Sequence, residues 1–238
     1  MSLNKAKINL IHTKKCSVFF QLQLEEALLR ATNENWCLIN EGCLPAIVIG
    51  SSGNPDELIN QEKLKQQPIP VIKRFTGGGC VVVDPNTIFV TIIMNEKDVT
   101  FNSYPEPIMR WIEALYKPVL VPHDFKLIEN DYVIENKKCM GNAQYIQKQR
   151  WLHHSTLLWD YDEKLMDYLL LPKQRPQYRQ DRSHVYFLCK LKDYVANKEQ
   201  FIFQFISQIG NHYEILLKDI NEMDVFKKRA YRKETVQI

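Results

Sequence analysis

The amino-acid sequence predicts an α+β fold, with a mixed, mostly antiparallel β-sheet flanked by helices. Two segments, near the beginning and the end of the chain, carry apolar residues at helical spacing. Between them lie short runs rich in β-branched and aromatic residues, separated by turn-forming residues, as expected for strands. No internal repeat, low-complexity tract or linker divides the chain. We therefore expect residues 1–238 to form one domain.

The first half is expected to contain two helices and several strands. Apolar residues along one face predict a helix over 17–31, with Ser17 as its N-cap. A second, short helix is expected from Asp56 to about Lys65. Strands are predicted wherever apolar or β-branched runs are bounded by turn residues, at 36–39, 46–49, 70–75, 80–83 and 87–94.

The second half follows the same reasoning, because strand-like runs and helical spacing are again separated by turn residues. The predicted elements are a helix from Pro107 to Tyr116, a hairpin that pairs 126–135 with 138–146 across Asn136-Lys137, a strand at 149–159 and a helix at 198–220. The last helix depends on the spacing of Phe201, Phe205 and Ile209.

Composition and charge argue against several classes of protein. A formal net charge of +3 is too small to indicate a nucleic-acid partner. The six cysteines contain no C-x-x-C pair, which argues against zinc or a disulfide framework and favours reduced, cytoplasmic thiols. The amino terminus lacks the apolar run of a signal peptide, and no stretch approaches a membrane span of about 18 apolar residues. We expect a cytoplasmic monomer without a membrane or nucleic-acid partner.

Three of the eight glycines stand together at Gly77, Gly78 and Gly79, between two predicted strands. Consecutive glycines allow the backbone to approach a ligand closely and to present a row of N–H groups to an anion. Lys73 and Arg74 add positive charge just before this loop. The surrounding sequence fits neither a P-loop nor a dinucleotide fingerprint. The pattern is compatible with an anion cradle and with a simple glycine-rich turn.

A second candidate group follows from the predicted hairpin. If the turn lies at 136–137, Asp131 and Lys138 are close together on paired strands, and Lys138 can contact a phosphate or acyl oxygen. Gly141 again permits close approach of a ligand to the backbone. Taken alone, a solvated lysine beside a turn explains the same residues more simply.

Histidines and arginines provide two further candidates. His153 and His154 are adjacent in a predicted strand, so their side chains point to opposite faces of the sheet. No Cys, Asp or Glu lies close enough in sequence to complete a metal cluster with them. Further along, Arg179, Arg182 and His184 lie within six residues of one another. These three can bind a carboxylate or phosphate, or form an ordinary charged surface loop.

In this order, the motifs resemble those of the lipoate–protein ligase A family, within the biotin/lipoate protein ligase superfamily. Lys73-Arg74-Phe75-Thr76-Gly77-Gly78-Gly79 is similar to its arginine-rich strand and [ST]-G-G-G loop. Asn130-Asp131 and Lys138-Cys139-Met140-Gly141-Asn142-Ala143 resemble its Asn-Asp and K-x-x-G-[SN]-A motifs. His153-His154-Ser155-Thr156-Leu157-Leu158 resembles its H-H-G-T-L-L. The similarity covers about residues 17–195 and implies the catalytic domain of that family, in a short form without the C-terminal accessory domain.

The resemblance implies an ATP-dependent reaction in two steps. Lipoate or octanoate attacks the α-phosphate of ATP to give an acyl-AMP, and a lysine of a lipoyl carrier domain then takes the acyl group. Lys138 is the implied catalytic residue and Asp131 the implied Mg²⁺ ligand. The implied contacts to the substrate and to lipoyl-AMP are Arg74, Thr76, Gly77, Gly78, Gly79, Cys80, Asn130, Asp131, Gly141, Ala143, His154 and Thr156.

The implied partners are the lipoyl domains of 2-oxoacid dehydrogenase complexes or the glycine cleavage H protein, with a separate accessory subunit as a further implied partner. Three departures from the family pattern bear on these roles. Ser155 stands where the family has glycine, and Lys73 stands where it often has arginine. The segment 84–86, Asp-Pro-Asn, replaces a more glycine-rich turn.

Three alternatives remain open from the sequence. An acyltransferase would move a lipoyl or octanoyl group between carriers through a cysteine thioester without ATP, with Cys139 or Cys80 as the nucleophile. A non-catalytic binder of lipoyl domains would not need the Lys138 and Asn130-Asp131 motifs. A biotin–protein ligase is less consistent with the sequence, because that branch usually carries a different arginine–glycine loop.

Overall fold

A computed structural model of the protein describes residues 5–238, so the predicted domain 1–238 includes four residues outside the described part. The twelve strands of the described part are β1 (Lys7–Lys14), β2 (Trp36–Glu41), β3 (Ala46–Ile49), β4 (Val71–Lys73), β5 (Cys80–Val83), β6 (Thr87–Asn95), β7 (Phe125–Ile128), β8 (Asp131–Ile134), β9 (Lys137–Gln147), β10 (Arg150–Leu158), β11 (Glu214–Leu217) and β12 (Val236–Gln237). Its α-helices are α1 (Val18–Ala31), α2 (Pro55–Leu58), α3 (Gln61–Gln66), α4 (Pro105–Tyr116), α5 (His184–Phe187), α6 (Lys198–His212) and α7 (Asp224–Lys227).

The strands form two sheets. The larger has the order β11-β1-β2-β6-β10-β9-β8-β7, and only its β11/β1 and β1/β2 pairs are parallel. The smaller has the order β12-β4-β3-β5, with a single parallel pair between β3 and β4. The predicted fold class, a mixed and mostly antiparallel sheet flanked by helices, is confirmed. No helix within residues 5–238 combines the length and apolar character needed to cross a bilayer.

Helix α1 packs against both sheets, and it is therefore buried on more than one face. Its second half places Leu24 and Leu28 against Trp36 of the larger sheet. Its first turn places Val18 and Leu22 in a cluster with residues of the smaller sheet. On the other face of the larger sheet, α4 and α6 cover a separate apolar cluster. Charged residues of α1 that lie between the sheets are consequently forced into the interior.

Three predicted elements differ most from the structure, and several others are shifted by one or two residues at an end. The single helix predicted over 56–65 is two short helices, because Asn54 and Asn60 each cap a helix through a side-chain oxygen, on Asp56 N and Lys63 N. The strand predicted over 126–135 is two strands, with a turn at Glu129 that adopts φ +52°. The helix predicted over 198–220 ends at His212 and is followed by β11. Strand β1 was not among the predicted elements.

Strand β10 lies between β6 and β9, and its register determines which residues meet. Thr156 is opposite Gly141 of β9, and His154 is opposite both Ala143 of β9 and Thr91 of β6. His153 points to the other face, as the alternation of strand side chains requires, and is buried under α4 near Tyr132. The central pairing thus brings His154, Thr156 and Gly141 to one surface of the sheet.

The glycine loop between β4 and β5 folds back onto the end of β3. Gly50 N donates to Gly79 O at 3.0 Å. A Cβ atom at Gly50 would lie 2.2 Å from Gly78 O, so the two backbones can approach this closely only because residue 50 is glycine. Gly78 itself adopts φ +97°.

Gly78→Ala is expected to lower the free energy of unfolding by about 1–3 kcal/mol. The positive φ strains an L side chain, and the new Cβ would lie 2.8 Å from Arg74 Nη2. Urea unfolding measures the change. Gly79→Ala is the matched control, because its Cβ would meet no atom within 4 Å, and we expect a change within about 0.5 kcal/mol. Equal losses in the two variants would contradict the assignment of strain to Gly78.

His153 is expected to make the protein less stable in mild acid. Burial lowers the pKa of His153 from 6.5 to about 3. Between these two pKa values only the unfolded chain takes up the proton. The contribution of neutral His153 to the free energy of unfolding is therefore complete above pH 6.5 and is lost as the pH drops towards 3. At pH 5 the loss is about 2 kcal/mol.

The test is the difference in free energy of unfolding between pH 7 and pH 5. His153→Gln should remove about 2 kcal/mol of that difference, whatever it does to stability at pH 7. The control is His212→Gln at the exposed end of α6, which should keep the pH dependence of the unaltered protein. An unchanged pH dependence in His153→Gln would show that another group is responsible.

Candidate active site

The candidate site is a cavity of about 250 Å³ between the edge of the smaller sheet, strands β8–β10 and the segment after β10. Its walls carry Lys138, Asp131, Cys80, Gly141 and Thr156, which come from both sheets. The segment that follows β10 closes the cavity with apolar residues and with Arg179 and His184. Two distinct motifs of the sequence, the glycine loop and the lysine motif, therefore face one volume.

An ion pair between Lys138 and Asp131 lies in the wall of this cavity. Lys138 Nζ lies 2.6 Å from Asp131 Oδ1, and both side chains are largely buried. The predicted proximity of these residues follows from the antiparallel pairing of β8 with β9. Asp131 Oδ2 accepts a second hydrogen bond, at 2.9 Å, from the hydroxyl of Tyr178. Burial, followed by the charge of Asp131, raises the pKa of Tyr178, which keeps its proton and acts as a donor.

Asp131 was also predicted to bind Mg²⁺. Both of its carboxylate oxygens are already engaged, one by Lys138 and the other by Tyr178. Residues 5–238 contain no group of three His, Cys, Asp or Glu side chains that could hold a metal ion. The donors present therefore do not fit a metal held mainly by protein ligands, since Mg²⁺ requires near-octahedral oxygen coordination.

A narrower cavity of about 40 Å³ opens beside the larger one. The two share Val81, Gly141 and Thr156 in their walls. Most of the narrow cavity is apolar, with side chains from α1, β3, β5 and β6; they are Val18, Leu22, Val48, Val81 and Phe89. Such a lining suits the hydrocarbon part of a ligand whose polar end reaches the larger cavity.

Four polar side chains form a connected chain along the narrow cavity. Arg74 Nε donates to Thr76 Oγ1 at 2.8 Å, and Arg74 Nη2 donates to Gly77 O at 2.8 Å. Thr76 Oγ1 lies 3.3 Å from His154 Nε2, and His154 Nδ1 lies 3.0 Å from Glu25 Oε2. Since a carboxylate accepts, His154 Nδ1 carries a proton and donates to Glu25.

Glu25 is completely buried, and its second oxygen is also satisfied. Oε1 accepts from Thr91 Oγ1 at 2.7 Å and from Gln21 Nε2 at 2.8 Å. Burial lowers the pKa of Arg74 to about 10, with Glu25 among the groups that oppose this shift, so the guanidinium stays charged at neutral pH. The buried cation and the buried anion are linked through His154 and Thr76, which fixes the entrance of the glycine loop.

The structure brings most of the predicted site residues together. Those that line one or both cavities are Arg74, Gly79, Cys80, Asp131, Lys138, Gly141, His154 and Thr156. Thr76, Gly77 and Gly78 form the adjoining loop, and Ala143 packs beside Gly78. Asn130 is exposed, its carbonyl accepts from Asn142, and it lines neither cavity.

Ser155, which stands where the family pattern has glycine, places its side chain in the core. Its hydroxyl lies 3.3 Å from His153 Nε2, on the face of β10 opposite to Thr156. The serine side chain therefore adds to the buried network around His153, and its backbone still borders the narrow cavity.

The two cysteines considered as nucleophiles differ in burial: Cys139 is buried and Cys80 is partly buried. Cys139 is fully buried in the core and its thiol donates to Tyr132 O at 3.3 Å, and burial raises its pKa well above the ordinary value. Cys80 borders the larger cavity, but burial raises its pKa to about 12. A thiolate is the nucleophilic form of cysteine, so neither residue suits a thioester pathway at neutral pH.

Sequence reasoning missed Glu25, and it left the segment of Tyr178, Arg179 and His184 undecided. The burial of Glu25 could have been predicted, since Glu25 lies in α1 beside apolar positions that must be buried. The role of the arginine segment was harder to predict, because only the folded chain shows that Tyr178 reaches Asp131.

Comparison with known proteins gives a consistent result. The profile of the lipoyl protein ligase A/B catalytic domain matches residues 17–214. The chain is 30% identical to the probable lipoate-protein ligase A of Mycoplasma pneumoniae, over 77% of this chain and 56% of that protein. It is 27% identical to the inactive lipoate–protein ligase 2 of Plasmodium falciparum, over 78% of this chain and 64% of that protein. It spans less than two thirds of the length of these relatives.

Solved structures share the fold at lower sequence identity. A bi-partite lipoate protein ligase of Thermoplasma acidophilum, studied with its E2 lipoyl domain, has a TM-score of 0.75 at 18% identity, over 95% of this chain and 91% of that chain. A lipoate-protein ligase A bound with ATP has a TM-score of 0.73 at 16% identity, over 94% of this chain and 93% of that chain. With its matched family profile and shared fold, this chain belongs to the lipoyl protein ligase A/B catalytic domain family.

Proposed function

We propose that this protein is a lipoate–protein ligase. It activates lipoate or octanoate with ATP to an acyl-AMP and transfers the acyl group to a lysine of a lipoyl carrier domain. The observation that carries this proposal is the Lys138–Asp131 ion pair, which lies in a cavity bordered by Gly79 and joined to an apolar pocket. One site thereby offers an apolar place for an acyl chain and a cation for a phosphate.

In the first step, a carboxylate oxygen of the acid forms a bond with the α-phosphorus of ATP, and the bond to pyrophosphate breaks. Both reactants are anions, so their approach requires positive charge at the junction of the two cavities. Lys138 supplies that charge, and Arg74 supplies a buried cation at the glycine loop. The protein's contribution is mainly to position the two groups and to stabilise charge.

In the second step, the amine of the carrier lysine attacks the acyl carbonyl, loses a proton and displaces AMP. Negative charge develops first on the carbonyl oxygen and then on the departing phosphate. Lys138 can donate to either, because an ammonium has three N–H groups and Asp131 accepts only one of them in the free protein. Asp131 and Tyr178 hold the lysine in place without consuming its capacity to donate.

ATP and lipoate are the proposed substrates, and a related ligase of the same fold has been crystallised with ATP. Mg²⁺ would supply further charge neutralisation on the phosphates of ATP, and it would reach the site mainly through those phosphates, since Asp131 is engaged. The proposed partners are lipoyl domains of 2-oxoacid dehydrogenase complexes or the glycine cleavage H protein. An accessory subunit is consistent with the bi-partite relative.

The acyltransferase alternative receives less support. It would require a reactive thiolate, whereas burial raises the pKa of Cys139 and Cys80. The relative from Plasmodium falciparum carries the name of an inactive ligase, so activity has to be measured on this chain itself.

Lys138→Ala is expected to reduce lipoylation of a recombinant lipoyl domain by about 10²–10³-fold. The assay follows the mass of the intact lipoyl domain with protein, Mg-ATP and free lipoate. Lys137→Ala is the matched control, because Lys137 is the neighbouring lysine on β9 but is exposed and lines neither cavity. We expect the control to keep the full rate.

The same assay separates the alternatives. A mass gain that requires both ATP and Lys138 supports the ligase. Transfer from an acylated carrier protein without ATP would replace it with the acyltransferase. Equal activity in Lys138→Ala and the unaltered protein would remove Lys138 from the mechanism.

A further inference from the structure

The segment of residues 177–188 forms one wall of the larger cavity and is fastened to the sheet at two places. Tyr178 donates to Asp131 Oδ2, and Leu188 pairs with Lys138 of β9 in an isolated parallel bridge. Arg182 stabilises the segment from within, donating to the carbonyl groups of Asn136, Tyr178 and Arg179. These contacts hold the segment, and the side chains that it carries, at a fixed position beside Lys138.

We propose that Arg179 of this segment is a phosphate-binding residue, which contacts the phosphoryl group of the nucleotide or acyl nucleotide together with Lys138. This inference rests on the proposed function and assigns a further residue to its site. Arg179 lines the larger cavity, as Lys138 does.

Arg179 is a buried cation without a counter-ion. Only 4% of the residue is exposed, and no carboxylate oxygen of residues 5–238 lies within the 4.0 Å of an ion pair with it. The charge of Asp131 acts on Arg179, but Asp131 is already engaged by Lys138 and Tyr178. Burying an unpaired charge is unfavourable, so a bound anion would remove a penalty present in the free protein.

Two of the three guanidinium nitrogens of Arg179 have partners in the protein. Nε donates to Arg182 O at 3.2 Å, and Nη2 lies 3.4 Å from His184 Nδ1. Nη1 donates to no group within the described residues, and it is not completely buried. One edge of the guanidinium therefore keeps a donor for a ligand in the cavity.

The surroundings orient the guanidinium before a ligand arrives. Arginine only donates, so His184 Nδ1 must accept and its ring proton lies on Nε2. Burial, and then the charge of Arg179, lowers the pKa of His184, which favours this neutral form. The ring of Phe187 lies beneath the guanidinium, with its centroid 4.5 Å from Cζ. A planar donor held in this way is suited to phosphate oxygens.

The charge balance of the cavity selects an anion. Its lining contains Lys138 and Arg179 as cations and Asp131 as the anion, with His184 neutral. The net charge of this lining is therefore one positive charge, and a phosphoryl group neutralises it. Arg175 of the neighbouring loop is paired with Asp181 at 3.3 Å and does not line the cavity, and its charge adds to the positive field at Arg179.

The test compares the binding of AMP and adenosine by calorimetry, because the two ligands share base and ribose and differ only in the phosphate. Arg179→Met should weaken AMP binding by about 10–100-fold and leave adenosine binding unchanged. Arg179→Lys, which keeps the charge but loses the planar fork, should give an intermediate loss. Lys173→Met is the control, because Lys173 is an exposed cation of the same stretch that is paired with Glu57 at 3.0 Å and does not line the cavity; it should bind both ligands like the unaltered protein.

The outcomes distinguish this inference from the proposed function. An unchanged affinity of Arg179→Met for AMP overturns the phosphate contact. An equal loss of affinity for AMP and adenosine also overturns it, because it shows that Arg179 serves only to fold the segment. No preference of the unaltered protein for AMP over adenosine overturns it as well. A protein that shows the expected Arg179 effect but does not lipoylate a lipoyl domain would refute the ligase proposal alone.

Discussion

Charged side chains buried between the two sheets have to be paired, and this constraint organises the site. Glu25 is completely buried because α1 packs against both sheets. It accepts hydrogen bonds from Gln21, Thr91 and His154, which join the helix to β6 and β10. Unpaired, a carboxylate in this position would cost several kcal/mol. The strands, the helix and the glycine loop are therefore held in one arrangement by the same charge that borders the narrow cavity.

Local patterns were sufficient to predict much of the fold. Helix α1, strands β3 and β5 and the helix ending at Tyr116 follow from spacing and turn residues that lie within each element. The errors have local causes too, since Asn60 begins a new helix and Glu129 turns the chain where a continuous element was expected. The division into two sheets was not predictable in this way, because β12 joins β4 and β11 joins β1 across most of the chain.

The same distinction applies to the site. The Lys138–Asp131 pair was predictable, because a hairpin brings residues seven positions apart onto adjacent strands. The contact between His154 and Glu25 joins residues 129 positions apart, and that between Tyr178 and Asp131 joins residues 47 apart. No periodicity reports such contacts. Resemblance to a family motif named His154, but only the folded chain shows which buried group orients it.

The two cations of the larger cavity are held in different ways, and the difference bears on their roles. Lys138 is a flexible ammonium whose position is set by Asp131, so it can shift between a carbonyl oxygen and a phosphate oxygen as charge moves during the reaction. Arg179 is a planar group fixed by Arg182, His184 and Phe187, which suits an unchanging contact. In the proposed reaction, which transfers an acyl group away from a phosphate, the two kinds of contact have different uses. Under our proposals, Lys138 follows the developing charge, while Arg179 keeps the nucleotide in place until the acyl group has left.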